Sequence, residues 1–134
     1  MKTTVKPGEI WKLGEHILGC GSATDTDFVA KAAGMTGDIK MILTDPPYGV
    51  AYVEGKKDFS RLGAEKGEAR TIAGDHLQTE KEFTAFTVAW LEAIKPFLTG
   101  YNTLYIFGAD SMLRANRNAL DEAKFYYSQL LIWV

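Results

Sequence analysis

The stretch that most constrains this chain is Ile39-Lys40-Met41-Ile42-Leu43-Thr44, set between Asp38 and the stiff sequence Asp45-Pro46-Pro47. It is almost wholly apolar and too short for a helix, so it predicts a strand buried on both faces, as in the interior of a parallel sheet. Parallel neighbours need long crossovers, usually helical, and the downstream sequence supplies them. Thr79 with Glu82 three residues on forms a capping-box pattern, and Phe83, Phe86, Trp90, Leu91 and Ile94 fall on one face, predicting a helix over 80–95. Pro96 and Gly100 end it, 103–107 reads as a second buried strand, 111–123 as a second long helix, and 126–134 as a third apolar strand in which Tyr126 and Tyr127 straddle the sheet. Upstream, Ile10, Trp11 and Leu13, then Ile17 and Leu18, spaced by Gly8 and Gly14, read as two short strands joined by a turn. Asp25 is placed to cap a short helix over 26–33 closed by Gly34 and Gly37. This alternation predicts a mostly parallel α/β sheet in a single domain.

Composition narrows the class. The 134 residues are 46% apolar and 24% charged, enough for one ordinary core and unlike a disordered or fibrous chain. No apolar run approaches the roughly 18 to 20 residues that cross a bilayer, and 1–8 lack the apolar stretch of a signal peptide, so a cytoplasmic protein without a membrane partner is expected. Cys20 is the only cysteine and His16 and His76 lie far apart, which speaks against an intramolecular disulfide and a metal site. The net charge of −2 shows no basic footprint, so any argument for nucleic acid must rest on a site.

That site is Thr44-Asp45-Pro46-Pro47-Tyr48-Gly49. It stands at the carboxyl end of the predicted buried strand, where open α/β sheets bind ligands. A proline fixes its own φ and holds the preceding residue extended, so Asp45 and the Pro46 carbonyl become two fixed acceptors. Two such acceptors suit an NH₂ group: they take both hydrogens, aim the nitrogen lone pair outward, and stabilise positive charge developing on it. Tyr48 offers a flat face for a base flipped out of a duplex. Only the ring is used in that reading, so Tyr48→Phe is expected to be nearly silent. The plain alternative is a rigid turn with an Asx cap and a packed tyrosine.

These residues resemble a known family. Thr44 to Val50, Thr-Asp-Pro-Pro-Tyr-Gly-Val, is similar to the catalytic motif of amino-group DNA methyltransferases. The opening from Lys6 to His16 and the following Leu18 to Asp25 are similar to the permuted, beta-class members, in which catalytic motifs precede the cofactor motif. A long loop, Ala73-Gly74-Asp75, the Phe83 to Ile94 helix, the Tyr101 to Phe107 strand and Leu130 to Val134 follow in the order of that class. The resemblance implies a Rossmann-like, mostly parallel, three-layer α/β/α methyltransferase sheet, incomplete in this chain, whose catalytic half spans 1–134. It also implies S-adenosylmethionine as donor and double-stranded DNA as acceptor, in a bacterial or phage-encoded setting of the restriction-modification kind. The Asp-Pro-Pro-Tyr form points to adenine N6 before cytosine N4. Asp45, Pro46, Pro47 and Tyr48 are then the catalytic residues, and Cys20, Gly21, Ser22, Thr44 and Asp45 the cofactor contacts.

Two departures stand out. Ser22 replaces the carboxylate the family usually carries after Cys-Gly, and the Phe-x-Gly-x-Gly type cofactor loop is missing, so a second copy or second polypeptide completing the cofactor half is expected along an unpaired edge of 39–44. Leu18-Gly19-Cys20-Gly21-Ser22 itself resembles the glycine-rich cofactor loop of unpermuted methyltransferases, although only 23 residues separate Gly21 from Asp45. The 49–74 segment is without periodicity and is expected to be a mobile loop. Its Lys56, Lys57 and Arg61 are the candidate phosphate contacts, weighed against a solvated loop, and Asp75 is read as a cap. Competing functions are an inactive nucleic-acid-binding or regulatory fragment, and a methyltransferase acting on RNA or protein amides, which usually carries Asn at the position of Asp45.

Overall fold

The computed structural model describes residues 5–49, 76 and 78–132, so the candidate DNA contacts Lys56, Lys57 and Arg61, the cap Asp75 and nearly all of the 49–74 loop lie outside the described residues. The described chain is a mixed α/β fold with three helices, an antiparallel hairpin and a parallel two-stranded sheet. The hairpin joins β1 (Glu9–Leu13) to β2 (His16–Cys20), with Leu13 opposite His16. Its two-residue loop places Gly14 first, at φ +63, the glycine position of a type II′ turn, so the predicted turn has a stereochemical cause. Helix α1 (Thr26–Ala33) starts where the Asp25 carboxylate accepts from the Asp27 and Phe28 amides at 3.1 Å.

Strand β3 (Ile39–Thr44) pairs in parallel with β4 (Leu98–Ile106), in continuous register from Met41 opposite Thr103 to Thr44 opposite Ile106. The crossover runs through α2 (Glu80–Ile94), which ends one residue before a 3₁₀ turn, Lys95–Phe97, built on Pro96. Gly100, expected to close the helix, falls inside β4, where Thr99–Asn102 bulges away from β3 before the regular register begins. A second 3₁₀ turn, Asp110–Met112, leads into α3 (Leu113–Glu122).

The core lies between α2, α3 and one face of the β3–β4 sheet. Ala115, Ala119 and Ala123 recur every four residues along α3 and are wholly buried, giving the larger α2 side chains Phe83 and Leu91 room to pack close. Leu104 and Ile106 of β4 pack on Trp90, Leu91, Ala119 and Ala123. Each fully buried large side chain contributes roughly 1.5 to 3 kcal/mol. The expectation of a strand covered on both faces is corrected here. Met41 and Leu43 are 59% and 64% exposed and Tyr105 44%, because their pleat points away from the helices. The described residues therefore make two layers, helix on sheet; a third layer is not among them. The far edge of β3 likewise has no strand beside it among the described residues.

The expected third strand is also corrected. Residues 125–132 are irregular, and Tyr126, Leu131 and Ile132 are exposed, with no strand among the described residues alongside to take their backbone groups; 133–134 lie outside the described residues. What directs the chain there is the end of α3. Lys124 adopts φ +58 and donates to the Asp121 carbonyl, while Phe125 donates to that of Leu120 at 2.8 Å, a Schellman closure with lysine in the usual glycine place. Lys95 Nζ, 2.6 Å from the Ala123 carbonyl, holds the same end. Tyr127 lies over the Arg117 guanidinium at 4.4 Å instead of entering a core. No helix among the described residues is long and apolar enough to cross a membrane.

Thr87 is a core residue the apolar spacing did not show. It is 1% exposed, and its hydroxyl has no hydrogen-bond partner among the described residues. Replacing such a group by an apolar one of the same shape removes a desolvation penalty, so Thr87→Val should raise stability by about 1 kcal/mol in denaturant titration. At the start of α2, Glu82 accepts from the Thr79 amide and hydroxyl, both at 2.8 Å, and these bonds hold its carboxyl below the ordinary carboxylate range. A depressed folded value means the stabilisation is complete above the ordinary value and disappears as pH falls through the depressed one. Thr79→Ala should therefore lower the thermal midpoint by a few degrees at neutral pH, and the gap from the parent should narrow in acid.

Candidate active site

The Thr44–Gly49 turn is pinned at both ends. At its start, the Thr44 carbonyl accepts from the Phe107 amide at 2.9 Å, extending the parallel ladder one step past the strand. At its end, Gly49 is buried at φ +67, and its carbonyl accepts from the Gln78 amide at 3.0 Å. A Cβ on Gly49 would stand 2.9 Å from Phe83 Cδ2, so glycine is required there by both backbone and space. Gln78 and Phe83 belong to the entry of α2, whose capping box sets where that helix begins. The crossover helix thus carries the rear support of the turn. This clamp was not legible in the sequence, where Phe83 reads only as core and Gln78 belongs to no pattern; the one available signal was a glycine directly after Tyr48.

Between the anchors, Asp45 is exposed and Pro46, Pro47 and Tyr48 are half-buried. The Tyr48 hydroxyl donates to Asp45 Oδ1 at 2.7 Å. This bond, then partial burial and the Asp45 charge, raise the Tyr48 phenol above its ordinary value of 10.0. Because the folded value is raised, the stabilisation is intact below the ordinary tyrosine value and is lost as pH rises through the raised one. The Asx turn is closed to Asp45, because it needs the amide two residues on and Pro47 has none; the carboxylate is bonded instead by the Tyr48 hydroxyl. The expectation that only the ring of Tyr48 matters also changes, because its hydroxyl is bonded to the carboxylate.

The proposed cofactor residues fall into two groups. Thr44 and Asp45 sit in the turn; Cys20, Gly21 and Ser22 sit at the open end of the hairpin, and no hydrogen bond or ion pair among the described residues joins the two. Ser22 Oγ lies 2.8 Å from Thr24 Oγ1 and accepts from the Thr24 amide, a local turn leading into the Asp25 cap. The glycines there answer to Phe28 of α1. A Cβ on Gly19 would come 2.8 Å from its ring, and one on Gly21 2.7 Å. These glycines seat an aromatic ring of the protein, which accounts for them without a nucleotide. The open groove along α3 between Asp110 and Asp121 shares no residue with the turn.

If Gly21 serves Phe28, Gly21→Ala should destabilise the protein by about 1 to 3 kcal/mol through overpacking, and Phe28→Leu should restore much of the loss in the double variant. A stability unchanged by Gly21→Ala, measured by thermal denaturation, would return the loop to ligand binding. No protein-family model, curated protein or solved structure matches this chain.

Proposed function

We propose that the chain carries the acceptor half of a methyltransferase acting on the exocyclic amino nitrogen of a base in DNA, adenine N6 before cytosine N4. S-adenosylmethionine is the proposed donor, and β3 and β4 are two strands of a Rossmann-like methyltransferase sheet. The supporting observation is an exposed carboxylate, Asp45, at the carboxyl end of a parallel strand, on a two-proline turn tied down at both ends. In this reading Asp45 and the Pro46 carbonyl each accept one N–H of the target amine. Their fixed positions orient the nitrogen lone pair away from the base and stabilise positive charge developing on it, without reorganisation at the moment of reaction. Tyr48 supplies the face on which the extruded base stacks, an interaction of roughly 1 to 3 kcal/mol. Duplex DNA is the proposed partner, with Lys56, Lys57 and Arg61 as the candidate phosphate contacts.

The donor side is different. Phe28 takes the space beside Gly19 and Gly21, and Ser22 is engaged with Thr24, so protein contacts account for Gly21 and Ser22, and the transfer reading rests on Asp45 and Tyr48 without them. A second copy or another polypeptide along the far edge of β3 is the proposed source of that side. The same observation favours a second reading, a nucleic-acid-binding or regulatory protein without catalysis. Labelled methyl transfer from S-adenosylmethionine to duplex DNA separates the two.

Recognition of the amine is tested by fluorescence anisotropy on duplexes carrying either adenine or unsubstituted purine opposite an abasic site. The protein should prefer the adenine duplex by about tenfold, the scale of hydrogen bonds to a charged group, and Asp45→Ala should erase the preference. Equal affinity of the parent for both duplexes excludes Asp45 as amine acceptor.

A further inference from the structure

An exposed aspartate in a turn ordinarily turns through several rotamers or bonds to a nearby amide. Asp45 has neither neighbouring amide to use, because Pro46 and Pro47 lack N–H groups. Among the described residues its carboxylate has one hydrogen-bond partner, the Tyr48 hydroxyl, on Oδ1, and Oδ2 has none. A carboxylate accepts at both oxygens, so this bond leaves capacity for an incoming N–H. The backbone from Thr44 to Gly49 is already held by Phe107 at one end and by Gln78 and Phe83 at the other. The freedom remaining in the turn is that of the two side chains, and one hydrogen bond ties them to each other.

We propose that the Tyr48 hydroxyl is a positioning group: it locks the Asp45 carboxylate and the tyrosine ring to each other, so that the amine acceptor and the stacking face form one preset unit. This rests on the reading of Asp45 as amine acceptor. The hydroxyl itself touches no substrate. Its role is to hold Oδ2 at a fixed height and distance from the plane of the ring, so that a base stacked on Tyr48 presents its amino group to an acceptor already in place. Without it, the carboxylate must be ordered during binding, and the cost falls on ligands that use the carboxylate and not on those that only stack. The device therefore favours amino-bearing bases over bases that merely have an aromatic face.

Two measurements on the whole chain test this independently. In protein labelled with ¹³C at tyrosine Cζ, the resonance that disappears in Tyr48→Phe should titrate at higher pH than an ordinary tyrosine, and Asp45→Ala should return it to the ordinary range. In the duplex assay, Tyr48→Phe keeps the ring, so affinity for unsubstituted purine should be unchanged while affinity for adenine falls about fivefold. A Tyr48 resonance indifferent to Asp45 overturns the proposal. So does a Tyr48→Phe protein that binds the adenine duplex as tightly as the parent, or more tightly, the latter meaning that the hydroxyl occupies the place of the amine. If the parent does not distinguish adenine from purine although Tyr48 titrates as expected, the acceptor reading falls and the positioning role with it, while the hydrogen bond stands.

Discussion

The parallel pairing of β3 with β4 is the constraint from which the rest of the described structure follows. Parallel neighbours cannot be joined by a tight turn, so the chain must leave the end of β3, cross over, and re-enter at the start of β4. The helix that makes this return, α2, brings its N-terminal turn back to the point where β3 ended, and there Gln78 and Phe83 meet Gly49. Pairing and crossover together put the Asp45 turn between the next rung of the ladder, Phe107 on Thr44, and the entry of the crossover helix. The stiffness of two prolines fixes the turn internally; its position is fixed by the topology.

Packing decides how firmly that topology is held. The alanine stripe of α3 lets α2 approach, and Trp90 and Leu91 then reach Leu104 and Ile106 on the sheet. Outside this core the ties are modest. Glu80 meets Arg114 and Asn118 across the helix pair, but Arg114 is largely exposed and such pairs stabilise little. Burial is thus one-sided, with Met41, Leu43 and Tyr105 on the bare face of the sheet. Apolar pleats left open in this way, next to a strand edge with no partner among the described residues, are the features proteins ordinarily cover.

What was legible in the sequence was what local chemistry decides. The capping box of Thr79 and Glu82, the Asp25 cap and the hairpin glycine each determine their own conformation, and each was found where expected. What was not legible depended on neighbours. Whether 39–44 is covered on one face or two is set by elements elsewhere in the chain, and an apolar run reads the same in either case. Residues 126–132 have strand composition, but a strand exists only where a partner takes its backbone groups. Thr87 belongs to the core through helical position, against its polarity. In the site, the residues at 44–49 were legible and their mutual bonding was not: a pattern shows that Asp45 and Tyr48 are three apart, and only the folded turn shows the hydroxyl on the carboxylate.

Gly21 and Gly49 illustrate why short motifs divide so unevenly in value. Gly21 and Gly49 each sit in a glycine-containing loop beside a predicted strand, and each would clash with a phenylalanine if given a Cβ. At Gly21 the close approach stands alone: the glycine makes room for Phe28, and no positive φ is involved. At Gly49 a positive φ, a close approach and a backbone hydrogen bond coincide, and all three serve to hold the residue before it. A glycine-rich string says only that side chains are absent, which is compatible with a phosphate, a ring or a turn in the vacated space. A string such as Asp-Pro-Pro-Tyr-Gly says what is present: an acceptor, two rigid residues without donors, a ring with a hydroxyl, and a residue free to turn left-handed. The removal of the backbone donors by the prolines is what leaves the carboxylate to the tyrosine, and so the specificity of that string lies in its chemistry as much as in its spelling.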